Sequence, residues 1–164
     1  MVVTYHRQTR AIIHRKALRE NIKNEVDRLP KDVELFAVVK ADGYGHGAVA
    51  TAQTALTAGA TGFCVATLDE AIELREAGII EPILVLSVVF PSYLSLVVDY
   101  DLSITVATKD WLIEAQEVLK DLTEMTEPIK IHIKADTGMG RIGFVTPEEV
   151  NEAAEIVEAS PNMG

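Results

Sequence analysis

The chain has 164 residues, 48% of them hydrophobic and 24% charged, enough apolar content to bury a core as one globular unit and too much for a disordered tail. Asp and Glu number 25 against 15 Lys and Arg, a formal net charge of -10, which argues against nucleic acid or an anionic membrane as a partner. Cys64 is the only cysteine, so no intramolecular disulfide can form and a reducing compartment is expected.

Taken in order, residues 1–10 contain no apolar stretch of the signal-peptide kind. The longest apolar region, 83–90, is too short to span a bilayer, so a cytoplasmic location is expected. Leu18, Ile22, Val26 and Leu29 share one face of a helix predicted over 16–29, with Pro30 closing it. A strand follows over 35–40, in which Val38 and Val39 favour extended backbone and place Lys40 at the carboxyl end of a buried parallel strand. An amine held there, partly shielded from water, is a nucleophile toward a carbonyl or an aldehyde cofactor. Beyond it Gly43, Gly45 and Gly47 alternate with Tyr44 and His46. That spacing predicts a backbone of unusual dihedrals that a ligand can approach closely.

The alanine-rich segment 48–58 reads as a helix ended by Gly59 in the position a left-handed cap prefers. A second strand is predicted over 63–66, with Cys64 as a small buried residue between Phe63 and Val65. Thr67 and Glu70 have the spacing of a capping box for a helix that Gly78 terminates. The third strand is predicted over 83–86, a short helix over 94–98 and the fourth strand over 103–107. Thr108 can cap the next helix, where Trp111, Leu112, Ala115, Val118, Leu119 and Leu122 keep a helical period and Trp111 reads as a core anchor. The fifth strand is predicted over 130–135, and Thr146-Pro147-Glu148-Glu149 opens a last helix with a cap, a first-turn proline and an acid at the third position.

Strands alternating with helices imply an α/β fold with a parallel sheet. Eight such units, typically about 250 residues, close a barrel. Five units leave two architectures, an open doubly wound sheet or the first part of a barrel. In the fifth strand Lys130, His132, Lys134 and Asp136 share one face and Ile131, Ile133 and Ala135 the other, so the polar set should point inward near a barrel mouth. Asp42 and Asp136 each follow a strand-terminal lysine, where hydrogen bonding to loop backbone is the expected role. His132 reads as a satisfied core histidine; His46 could meet a cofactor or cap the helix at Ala48. Gly138, Gly140 and Gly143 spell G-x-G-x-x-G after a strand, a dinucleotide fingerprint. It is discounted, because the helix starts only near Pro147, Arg141 would crowd the pyrophosphate, and no ribose-binding acid follows. No His and Cys cluster has metal-ligand spacing, so no metal is expected.

Two stretches carry a family resemblance. Ala37-Val38-Val39-Lys40-Ala41-Asp42-Gly43-Tyr44-Gly45-His46-Gly47 resembles the pyridoxal-phosphate lysine motif of the alanine racemases, and Lys134-Ala135-Asp136-Thr137-Gly138-Met139-Gly140-Arg141 resembles the lysine and arginine pair of the same family. The resemblance implies pyridoxal 5'-phosphate as cofactor. It makes Lys40 both the covalent attachment point and one of two catalytic bases, and puts Tyr44 close to the cofactor phosphate. Arg141 would donate to the phenolic oxygen of the cofactor and, with Met139, stand beside the substrate. Lys134 is the position carbamylated in many members, giving an anion that holds the guanidinium. The family fold favours the second architecture: 1–164 as the N-terminal portion of a (β/α)8 barrel domain, with a C-terminal β domain absent. The implied activity is interconversion of L- and D-alanine for peptidoglycan by a homodimer, with a piece of this length inactive or nearly so. A serine racemase of the family and a non-catalytic pyridoxal-phosphate-binding protein are the alternatives.

Overall fold

A computed structural model describes residues 8, 9, 11–122 and 125–164. The leading segment read above for its lack of an apolar stretch lies outside them, apart from Gln8 and Thr9. Five parallel strands form one sheet in the order β1-β2-β3-β4-β5: β1 (Phe36–Val38), β2 (Gly62–Val65), β3 (Ile83–Val88), β4 (Ser103–Val106) and β5 (Lys130–Ile133). The helices are α1 (Arg15–Val26), α2 (Lys40–Gly45), α3 (Ala48–Leu56), α4 (Leu68–Glu76), α5 (Leu94–Asp99), α6 (Lys109–Asp121) and α7 (Pro147–Glu158). The strands and the remaining helices come in the order read from the sequence, and α2 falls where the reading had only a glycine-rich turn.

Most boundaries follow local chemistry. Thr67 with Glu70 and Thr146 with Glu149 form the two capping boxes, and Thr108 accepts from the Trp111 N–H. Gly59 and Gly78 adopt φ of 103° and 86° just past their helices, as left-handed caps do. Helix α1 stops at Val26, ahead of Pro30, and packs Leu18 and Ile22, half-buried, on the protein side. Trp111 is buried and its indole N–H donates to Val89 O at 2.6 Å.

The sheet decides between the two architectures. A doubly wound sheet reverses its strand order and covers both faces with helices; here the order runs straight through. Register places Phe63 and Val65 beside Ile83 and Val85, and Ile104 and Val106 beside Ile131 and Ile133. These residues form one face and pack with Ala52, Leu74, Leu94, Leu112 and Ala153 of the helices in a single core. The other face carries Phe36, Val38, Cys64, Leu84, Ser103, Thr105, Lys130 and His132. Helices leave it bare: Val38 is 43% and Val88 39% exposed. A sheet wrapped by helices on one side only is an arc of a (β/α) barrel, and its bare side is the inside of the arc.

Two differences from the predicted strands bear on function. Strand β1 ends at Val38 rather than at Lys40, because the backbone changes hand at that point. Between β3 and β4 the register slips from Val85 opposite Ile104 to Val88 opposite Thr105. This bulge at Leu86 and Ser87 falls where Ser87 interrupts an otherwise apolar run.

Candidate active site

Lys40 opens α2, a single turn wound the opposite way from every other helix of the chain. Ala41, Asp42, Gly43 and Tyr44 have φ of 52°, 54°, 60° and 54°, the left-handed region that costs an L-residue about 1–2 kcal/mol. Three of the four are not glycine, so the surroundings must hold the turn. The Gly43 N–H donates to Val39 O at 2.8 Å and the Gly47 N–H to Asp42 O at 2.8 Å. Asp42 Oδ1 accepts from the Ala48 N–H at 2.9 Å, capping α3. Glu70, on α4, accepts from the Ala41 N–H at 2.7 Å. A side chain at Gly43 would place its Cβ 3.0 Å from Thr51 Oγ1. The glycine spacing therefore announced the unusual dihedrals correctly, and Asp42 makes the structural bond expected of it.

Opposite, the segment after β5 doubles back on itself. Lys134 O accepts from the Phe144 N–H and the Asp136 N–H donates to Phe144 O, both at 2.8 Å. Gly143 makes this possible: with φ at 132°, its Cβ position lies 2.7 Å from Asp136 N and 2.8 Å from Lys134 O, where no side chain fits. Inside the loop the Asp136 carboxylate accepts from the Gly138, Gly140 and Arg141 N–H groups at 3.0, 2.9 and 2.8 Å. Those bonds, the Gly140 one foremost, hold its pKa below the ordinary carboxylate value. They also dispose of the dinucleotide fingerprint, since the glycine N–H groups that would meet a pyrophosphate are committed to Asp136 and α7 begins only at Pro147.

Between the two segments lies a cavity of about 700 Å³ lined by Lys40, Ala66, Lys134, Asp136, Met139, Arg141 and the bulge residues Leu86, Ser87 and Val88. The bulge aims Ser87 at β2, where its hydroxyl and its N–H both donate to Ala66 O. Bulges commonly re-aim side chains beside active sites. The carboxyl edge of a barrel sheet is also where such folds keep their catalytic groups.

Among the described residues no ion pair joins Lys40, Lys134 or Arg141 to a carboxylate. Arg141 instead directs Nη2 at Met139 Sδ, 2.8 Å away. Three basic side chains thus face one cavity whose lining acid, Asp136, is engaged by backbone N–H groups. That arrangement suits an anionic ligand with a carbonyl in reach of an amine.

Lys40, Lys134, Met139 and Arg141, singled out in the sequence, share the cavity. Tyr44 does not line it; it sits on the left-handed turn at the rim, 62% exposed. His132 is on the inward face as expected but exposed rather than in a core, because that face has no cover. His46 does not cap α3: Asp42 does, and the His46 ring nitrogen Nδ1 lies 3.4 Å from Tyr44 O. Cys64 is buried, and burial pushes its thiol pKa up, so it is a packing residue and no nucleophile. The sequence reading missed the bulge and the bond from the Ala41 N–H to Glu70; the Thr67-x-x-Glu70 spacing announces only the cap of α4, and no local signal points to a contact 29 residues away. No group of three or more His, Cys, Asp or Glu able to hold a metal ion occurs among the described residues. No helix there is long and apolar enough to cross a membrane.

The sequence profile described as "Alanine racemase, N-terminal domain" matches residues 13–164. An alanine racemase of Levilactobacillus brevis is 56% identical over 153 residues, 93% of this chain and 41% of its own length. The crystal structure of alanine racemase from E. faecalis superposes with a TM-score of 0.94 at 54% identity, covering 100% of this chain and 44% of that one. A histidine racemase from Leuconostoc mesenteroides subsp. sake has the same fold, with a TM-score of 0.81 at 34% identity over 91% of this chain and 39% of its own. The chain therefore spans about two fifths of the length of these relatives.

Proposed function

The chain belongs to the alanine racemase N-terminal domain family, and on that premise we propose that it is the lysine-bearing portion of a pyridoxal-phosphate-dependent alanine racemase. The observation that carries this reading is the cavity that brings Lys40 together with Lys134 and Arg141, its lining carboxylate, Asp136, being engaged by backbone N–H groups rather than by any of the three side chains. The residues fit the cofactor: an amine for its aldehyde, and a guanidinium for its phenolic oxygen. When bound, the cofactor supplies an electron-withdrawing pyridine that acidifies the proton on the substrate Cα.

The chain's own groups then do the rest. Lys40 Nζ is the amine that would hold the aldehyde of the cofactor, and the same group is placed to move a proton on or off the substrate Cα at one face. Arg141 would donate to the phenolic oxygen and so help to orient the ring. A carbamate on Lys134 gives that guanidinium a bidentate acceptor. The second base and the phosphate contacts, Tyr44 apart, come from elsewhere in a full-length homodimer, so the 164-residue chain alone turns over little or no L-alanine. The substrate is an amino acid, alanine in this reading, and the setting the cytoplasm.

The test is covalent trapping. Pyridoxal 5'-phosphate and borohydride, followed by peptide mapping, should place the pyridoxyl group on Lys40 ahead of the other lysines. A Lys40→Ala chain should lose that label. Labelling spread evenly over the surface lysines, or robust racemisation of L-alanine by this chain alone, would refute the reading.

A further inference from the structure

The left-handed turn after Lys40 poses a question that the lysine's own chemistry does not answer. Ala41 is the first residue wound the wrong way, it carries no side chain able to fold back on the turn, and its N–H points away from the turn's internal bonds. The direction in which Lys40 leaves the sheet depends on the peptide that joins it to Ala41. Something outside the turn must fix that peptide.

Glu70 meets the requirement. One carboxylate oxygen, Oε1, accepts from the Ala41 N–H at 2.7 Å. The other, Oε2, accepts from the Ala66 N–H at 2.7 Å and, more weakly, from the Thr67 N–H at 3.4 Å. A capping box needs only the second of these oxygens. The first leaves the helix it caps and crosses to another strand's end. Ala66 lines the cavity beside Lys40, and its carbonyl takes both the Ser87 N–H and the Ser87 hydroxyl. A single side chain therefore ties together the backbones that close three neighbouring strands, β1 and β2 directly and β3 through Ala66.

We propose that Glu70 is a positioning residue: its carboxylate clamps the Lys40–Ala41 peptide against the end of β2 and so aims the Lys40 amine into the cavity. The inference rests on the reading of Lys40 above for its purpose, and on geometry alone for the clamp. Both oxygens are needed, because one must serve Ala41 while the other serves the α4 cap. An amide in place of the carboxylate would offer one acceptor and turn an N–H toward a backbone N–H. Ionised acceptors also bind N–H groups about twice as strongly as neutral ones.

Three variants of the 164-residue chain separate this role from simple support of α4. Glu70→Ala removes both duties and Glu70→Gln keeps one acceptor. Thr67→Val removes the hydroxyl half of the cap and leaves the Ala41 contact in place. The first readout is amide hydrogen exchange at Ala41, which needs no cofactor; the second is the share of pyridoxyl label that borohydride fixes on Lys40. Glu70→Ala should speed Ala41 exchange by about tenfold or more and cut the Lys40 share of label, with Glu70→Gln between it and the parent chain. Thr67→Val should lower the melting temperature yet leave both readouts near those of the parent. Unchanged Ala41 exchange in Glu70→Ala, or a Thr67→Val chain that matches Glu70→Ala, would overturn the clamp. If the parent chain takes no label at Lys40 while Ala41 exchange still answers to Glu70, the clamp stands and the cofactor reading fails.

Discussion

Gly143 shows how a residue that touches no ligand can still be required by a site. Its Cβ position falls 2.7 Å from Asp136 N and 2.8 Å from Lys134 O, so an added methyl must push apart the two backbone stretches that present Lys134 and Arg141. Gly143→Ala should cost roughly 1–3 kcal/mol, from steric displacement and from strain at φ of 132°. Urea titration measures it, and a midpoint unchanged from the parent chain would show that the loop yields freely. The sequence marked this glycine only as the third in a nucleotide-binding spacing. Its actual constraint, a close approach of strand to loop, comes from the bridge between Ala135 and Phe144 and could not be read locally. Lys40 and Arg141 were legible for the opposite reason, because each sits in a long run whose residue types are rarely found together. Ala41 and Tyr44 were not: nothing in their own side chains asks for positive φ, and the bonds that hold the turn come from Val39, Glu70 and the Asp42 carboxylate on the Ala48 N–H.

Helices and their ends were the most legible elements, since a capping box or a terminal glycine acts over three or four residues and needs no partner from afar. Strand ends were less so. Where β1 stops and β3 bulges depends on neighbouring strands, and Ser87, the polar residue in the run from Ile83 to Phe90, does not by itself announce a register slip. One inter-element tie was invisible beforehand. Arg75, on α4, donates through Nε to Tyr100 O, through Nη1 to Ile79 O and Glu81 O, and through Nη2 to Asp101 O, all at 2.7–2.9 Å. It fastens the connection into β3 to the connection into β4 at the edge of the sheet opposite the cavity. Desolvation lowers its pKa, with Asp101 and Glu81 pulling the other way, but a guanidinium stays charged throughout. Arg75→Met should cost roughly 2–4 kcal/mol by orphaning those carbonyls. Arg75→Lys should recover only part of it, because an ammonium cannot span the same fork. Equal stability of the Lys variant and the parent in thermal melts would show that charge, not geometry, does the fastening.

The fold class was readable from alternation alone, whereas the choice of an arc over a doubly wound sheet needed the strand order and the bare inner face. That face has a solution consequence. Val38 and Val88 lie open on it, β1 presents an edge without a partner strand among the described residues, and β5 is met on its outer edge only at its start, by residues 162–164. Such surfaces favour self-association. Sedimentation of the 164-residue chain should show a mass that climbs with concentration, and a monomer at every loading would count against it. The uninterrupted strand order carries one more implication. Each strand pairs with the one made just before it, so a nascent chain can add βα units vectorially as it leaves the ribosome, with no need to wait for distant sequence. The lysine that would hold the aldehyde emerges among the first of these, its guanidinium counterpart a hundred residues behind. The order of synthesis thus leaves Lys40 facing an open half-site, without the wall that Lys134 and Arg141 give it, until the Gly143 loop has closed.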